Sequence, residues 1–127
     1  MTGWTHNDLE RISGADELLL ASLKEDGTFR KPVIIWVVRI SDALYVRSYR
    51  GLESIWLRHA RLRGKGRISA GGVTKDVAFV DVSHDEVLNK EIDAAYQSKY
   101  RRHGAMFVDH MVAPKARETT LKLAPSD

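Results

Sequence analysis

Six consecutive apolar residues, Val33 to Val38, put five β-branched side chains around one indole, Trp36. A run without polar alternation suits a strand covered on both faces, one toward the interior of a small barrel and the other under a helix. It is therefore expected to be the central strand. Ser41-Asp42-Ala43 follows as a short polar turn. Leu44 to Tyr49 then resumes extended chain, with Leu44, Val46 and Ser48 on one face and Tyr45, Arg47 and Tyr49 on the other. The two segments read as a hairpin. Upstream, Glu17 to Lys24 fits helix or strand on period alone, and the hairpin signal Asp26-Gly27 just beyond it decides for strand. Downstream, Gly71-Gly72 separates Arg67 to Ala70 from Val73 to Val82 as a further hairpin, and Thr119 to Leu123 reads as the last strand.

Helical signals fall between these strands. Thr5 followed by Asp8 resembles a capping box, and Leu9 and Ile12 precede Gly14, which predicts a short helix over about 6–13. Glu53 to Leu62 places Ile55, Trp56, His59 and Leu62 in one arc, the expected buried side of a crossing helix. Asp85 to Arg102 shows the strongest helical period, through Leu88, Ile92, Ala95 and Lys99 with Tyr96 and Tyr100 widening the stripe. A turn or two is expected around Met106 to Met111, with a break at Pro114. The reading is α+β, one domain over 1–127, a small six-stranded antiparallel β-barrel with flanking amphipathic helices.

Composition agrees with a packed domain: 43% of the 127 residues are hydrophobic and 29% charged. A chain of this length can bury roughly two-thirds of the surface that its unfolded form exposes. It holds no apolar run long enough to span a bilayer, and Met1 to Arg11 is polar where a secretory signal is apolar, so a cytoplasmic protein without membrane contact is expected. The absence of cysteine excludes disulfides, thiolate nucleophiles and Cys-ligated metal centres. The net charge of +3 tilts the surface only modestly toward anionic partners.

Catalytic signatures are sparse. The five histidines form no HxxxH or HExxH pair, and Gly104 stands between His103 and His110, so they read as surface or packing residues and no metal site is expected. There is no GxSxG, and Ser48, Ser54 and Ser69 carry no local cue for a triad. Asp81, Asp85 and Glu86 gather near a helix start, where the helix dipole accounts for them. Gly64-Lys65-Gly66 lacks the rest of a phosphate loop and reads as a turn. The basic residues say more. Arg58, Arg61, Arg63, Lys65 and Arg67 fall within ten positions, just after Arg47 and Arg50. Such a run reads either as a solvated face or as a phosphate pocket. For the pocket, guanidinium groups and a hydroxyl at a strand end bind phosphate and an indole covers a flat ring, and Arg47, Ser48, Tyr49, Arg50 and Trp56 supply those types.

The order of these segments resembles the flavin-binding split β-barrel superfamily, which includes pyridoxamine phosphate oxidases and deazaflavin-dependent nitroreductase-like proteins. KPVIIWVV, a turn at SDA, LYVRS, YRG, a helix from SIWLRHA and the hairpin ISAGGVTKDVAFV follow its layout over roughly residues 15–82. The C-terminal AAYQSKY helix and MVAPKARETTLKL ending look like an uncharacterised branch. His59 stands where better-known relatives carry an asparagine, and RLRGKGR replaces their Asn-Pro. The resemblance implies a split barrel whose two copies pair, with FMN or a deazaflavin lying in the groove between them. Its phosphate would fall to Arg47, Ser48, Tyr49 and Arg50; Trp36 would face the ring, Trp56 would open the crossing helix, and Lys31 would occupy the basic approach to the central strand. Aromatic surface around Trp36, Tyr45 and Tyr49 also suggests a homodimer.

Three functions compete. A flavin- or deazaflavin-dependent oxidoreductase needs little from the protein beyond anchoring and orientation. A non-catalytic dimeric barrel could bind a small anionic ligand or act as an interaction module. Nucleic-acid binding through basic loops and exposed aromatics ranks third.

Overall fold

A computed structural model describes residues 3–126. In chain order the elements are α1 (His6–Ser13), β1 (Glu17–Ser22), β2 (Val33–Ile40), β3 (Ala43–Val46), α2 (Ile55–Arg63), β4 (Lys65–Ala70), β5 (Val73–Asp81), α3 (Glu86–Tyr100), α4 (Ala105–Val112), α5 (Pro114–Arg117) and β6 (Leu121–Pro125). Single 3₁₀ turns at Gly51–Glu53 and Arg101–His103 precede α2 and α4. The six strands close into an antiparallel barrel in the order β1-β2-β3-β6-β5-β4, so the last strand lies between β3 and β5.

Period-two alternation fills the barrel. Leu18 and Leu20, Val37, Leu44 and Val46, Ile68, Val77 and Phe79, and Leu121 and Leu123 form one buried cluster, to which Leu57 and Ala60 of α2 are added. The outward residues Val38 and Tyr45 join a second cluster with Ile92, Tyr96 and Tyr100 of α3 and with Val108 and Met111 of α4. The stripe expected for α3 is thus the one it buries. Two glycines are dictated by crowding: a Cβ on Gly66 would come within 2.4 Å of Ala21 O, and one on Gly71, at φ +56°, within 2.1 Å of Arg11 O. Thr5 caps α1 by accepting from Asp8 N, and Asp85 caps α3 by accepting from Leu88 N.

Several expectations need correction. β2 is not covered on both faces along its length: Val37 and Val38 are buried, but Ile34 is 61% exposed. The cause is strand length. β3 has four residues and pairs only with Val37 to Ile40, while Val33 to Trp36 pair with β1 alone. β3 itself stops at Val46, three residues before the expected end. The arc assigned to α2 is only half right: Trp56 and His59 are half-buried, with Trp56 against the barrel core, but Ile55 and Leu62 are exposed and Leu57 and Ala60 are the buried residues. The helix packs on β1, β4 and β5, which turns the Leu57–Ala60 side inward. Pro114 opens α5 at its first position, where a missing N–H costs nothing.

At the point where β2 leaves β1, side chains of α3 substitute for a strand. The Tyr100 hydroxyl accepts from Val37 N at 3.1 Å and donates to Asp16 O at 2.6 Å, and Lys99 Nζ donates to Val37 O at 2.7 Å. Tyr96 reaches Trp36 O at 3.3 Å. Tyr100 also stacks on Trp36, with centroids 4.0 Å apart and planes 4° from parallel, a geometry worth about 0.5–1.5 kcal/mol beyond burial. Burial pulls the Lys99 ammonium down to about 8, against the attraction of Asp16, and pushes both tyrosine hydroxyls up. Among the described residues no helix is long and apolar enough to cross a membrane.

Candidate functional site: the cleft at the split of the barrel

Because β3 ends early, the edge of β2 from Val33 to Trp36 has no strand beside it, and a cleft of ≈ 430 Å³ opens there. β2 supplies one wall through Ile34 and Trp36. The turn after β3 contributes Tyr49 and Arg50, the start of α2 contributes Ser54 and Trp56, and α4 contributes Phe107 and Met111. Tyr49 rests against the ring of His110, with centroids 4.8 Å apart, and lies 6.4 Å from that of Phe107.

The sequence-predicted residues separate into two groups. Trp36, Tyr49, Arg50 and Trp56 all line the cleft, as does Arg47 at its floor. Arg47, however, is 1% exposed and every guanidinium N–H has an internal acceptor. Nε donates to Thr120 Oγ1 at 2.9 Å, Nη1 to Asp93 Oδ1 at 2.6 Å and Met111 O at 2.9 Å, and Nη2 to Asn89 Oδ1 at 2.8 Å and Asn89 O at 3.2 Å. Arg117 pairs with the other oxygen of Asp93. An arginine with five donors engaged has none left for a phosphate. Ser48 is likewise enclosed: its N–H donates to Thr119 Oγ1 at 2.8 Å and its hydroxyl bonds that of Ser54. Lys31 is exposed and lies outside the cleft, in an adjoining pocket.

Arg50 differs from Arg47 in the respect that matters for a ligand. It is exposed, lines the cleft and has no ion-pair or hydrogen-bond partner among the described residues. Of the basic run in and after α2, Arg61 pairs with Asp81 at 3.4 Å and Arg67 with Asp76 at 2.6 Å, so part of that run is the solvated face it resembled. Asp85 serves as a helix cap and Asp81 accepts from Ser83 N. Sequence reasoning missed Ser54, Phe107 and Met111. Ser54 is legible as a cap before a helical run. The α4 residues are not legible, because only the fold-back of α4 onto the barrel brings them to β2.

This architecture, a closed six-stranded antiparallel barrel with its ligand-sized opening at the split, is the pyridoxamine phosphate oxidase-like split barrel. The chain belongs to a bacterial family, uncharacterized protein conserved in bacteria (DUF2255), whose profile matches residues 8–123. None of the curated proteins matches it in sequence. Solved structures share the fold at low identity. The heme storage protein HutZ from Vibrio cholerae superposes with a TM-score of 0.66 at 14% identity, covering 93% of this chain and 87% of its own. A protein assigned as a pyridoxamine 5′-phosphate oxidase from Listeria innocua gives 0.63 at 12% identity, covering 94% and 90%. A FAD-binding protein from Mesorhizobium loti gives 0.62 at 15% identity, covering 98% and 91%. These likenesses establish the fold, and they are to proteins that bind or act on different molecules.

Removing the Arg47 side chain takes the donor from Asp93 Oδ1 and Met111 O and one partner each from Asn89 and Thr120, in a buried site. Arg47→Ala is expected to lower unfolding free energy by about 3–5 kcal/mol, measured by urea denaturation. Arg47→Lys should recover only part of it, since one ammonium cannot serve acceptors spread over a guanidinium fork. A loss under about 1 kcal/mol, the worth of a surface pair, would contradict the assignment.

Proposed function

We propose that the chain binds a flavin-type cofactor, FMN or a deazaflavin, in the split cleft, as a homodimer, and works with it as an oxidoreductase. The observation that carries this reading is the make-up of the cleft: Trp36, Tyr49, Trp56 and Phe107 beside one uncommitted guanidinium, Arg50. Aromatic and aliphatic walls suit a flat ring, and a few convergent polar groups fix its orientation. The unpaired edge of β2 offers backbone N–H and C=O groups to the polar rim of such a ring. Arg50 is the group left to meet a phosphate, a role that Arg47, Ser48 and Ser54 cannot fill while they are bonded internally. A flavin, when bound, supplies hydride and electron transfer; the residues of this chain bind it, orient it and keep water from one face. The FAD-binding and pyridoxamine phosphate oxidase descriptions of structural neighbours support the same class of ligand.

The dimer rests on apolar surface beside the cleft. Leu19 and Ile34 face each other directly across the β1–β2 ladder and are both exposed, and Met106 and Phe107 of α4 are exposed nearby on the cleft side. Tyr45, expected to add to that surface, is buried under α3 and takes no part in it. A second copy covering Ile34 would also close the cleft.

Titration of FMN with purified protein should give fluorescence quenching that saturates at one flavin per chain, and Arg50→Ala should weaken it on the order of tenfold, the worth of one charge-assisted hydrogen bond. If neither FMN nor a deazaflavin binds, a non-catalytic barrel for a small anionic ligand becomes the better account.

Light scattering should give twice the 14.3 kDa chain mass. Ile34→Glu should give the monomer and loosen the flavin with it. A wild-type monomer at micromolar concentration would overturn the dimer.

A further inference from the structure

The ladder between β1 and β2 changes register at its open end. Leu20 faces Val33, whereas Arg30 N donates to Ser22 O at 2.9 Å and Leu23 bridges Phe29. Lys31 and Pro32 together therefore oppose the single residue Ala21, which is a β-bulge. Pro32 has no N–H to give to the ladder and suits that position. On a regular strand consecutive side chains point to opposite faces. Across this bulge Arg30 and Lys31 instead line the same pocket, of ≈ 270 Å³, together with Ser22, Trp56 and His59.

Two features of that pocket point to a ligand. Arg30 Nε is buried and has no hydrogen-bond partner, the one such side-chain atom among the described residues. A buried donor without an acceptor is costly to maintain and marks a place where an acceptor belongs. Secondly, two cations line the pocket and no carboxylate does. Arg30 and His59 also border the neighbouring hollow, where Glu25 and Asp26 lie with Lys24 and Arg63; neither carboxylate bonds Arg30, and that of Asp26 is already held by the Thr28 N–H at 3.0 Å and hydroxyl at 2.6 Å.

Val33 and Trp56 line both this pocket and the split cleft, so the two spaces adjoin at the Trp56 indole. We propose that the Arg30–Lys31 bulge forms a second anion subsite, which takes the outer phosphate of a diphosphate-bearing flavin, so that the cleft that accepts FMN binds a flavin dinucleotide more tightly. The proposal rests on the flavin reading of the cleft. Arg50 is the free guanidinium of the cleft and meets one phosphate. A second phosphate passing Trp56 meets the Arg30 fork, the Lys31 ammonium and the Ser22 hydroxyl.

The test titrates FMN, FAD and inorganic pyrophosphate against wild type, Arg30→Gln and Lys31→Gln. Wild type should bind FAD on the order of tenfold or more tighter than FMN, with pyrophosphate competing against FAD. Arg30→Gln should abolish both the FAD preference and the pyrophosphate competition while leaving FMN affinity unchanged. Lys31 is exposed, so Lys31→Gln keeps the fold and should reduce the preference in part. Equal FAD affinity in wild type and Arg30→Gln overturns the subsite, as does equal weakening of FMN and FAD, which would make Arg30 a contact to the first phosphate. If neither flavin binds but pyrophosphate does so in an Arg30-dependent way, the anion subsite stands and the flavin reading falls. If pyrophosphate does not bind either, both fall.

Discussion

One buried guanidinium organises this protein. Arg47 leaves the end of β3 and is held by acceptors on α3, on α4 and just ahead of β6, so that one side chain ties three segments to a single point of the barrel. A charge taken out of water must be matched donor by donor, and here it is, with the Tyr96 ring 5.6 Å away covering one side. The β2–β3 ladder ends at the Val37–Val46 pair, one residue before Arg47. The cleft is what remains beside β2. The residue that looked most like a phosphate ligand is thus fully engaged in the fold beneath the cleft, and the neighbouring Arg50 is without a partner among the described residues.

The other half of β2 is finished by helix side chains. Past Trp36 the strand loses β1, and the hydroxyls of Tyr96 and Tyr100 with the ammonium of Lys99 supply the polar partners that a strand would have given. Trp36 is thereby pinned by Tyr100 on one side while still lining the cleft. A wall fixed by stacking loses little further freedom when a ligand arrives, which favours binding.

Most of the strands were legible in the sequence because barrels obey period two, and the turn residues Asp26-Gly27 and Gly71-Gly72 stand where hairpins need them; the place of β6 between β3 and β5 was not. The stripe of α3 was legible for a similar reason, as fifteen residues carry enough turns to fix a face. α2 was read only half right because nine residues of mixed arginine and leucine present two plausible faces, and the choice between Ile55/Leu62 and Leu57/Ala60 is made by its packing on β1, β4 and β5. At the site, Trp36, Tyr49, Arg50 and Trp56, grouped in the sequence by residue type and strand-end position, all line one cleft. Those two cues could not separate Arg47 from Arg50, because Asn89, Asp93 and Thr120 are remote in sequence. The bulge that turns Arg30 toward Lys31 leaves only Pro32 as its trace in the sequence.

The central claim is that the split cleft, between Trp36 and Trp56, is where the ligand sits. The chain has three tryptophans, and Trp4 lies near the far end of β2 with its indole N–H donated to Leu123 O at 3.0 Å. A ¹H–¹⁵N spectrum of the indole groups during FMN addition tests the claim with its own internal control. The account predicts that the Trp36 and Trp56 signals move together and saturably while Trp4 stays in place. Movement of Trp4 alone, or of none of the three under conditions where FMN is bound, would place the ligand elsewhere and contradict the account.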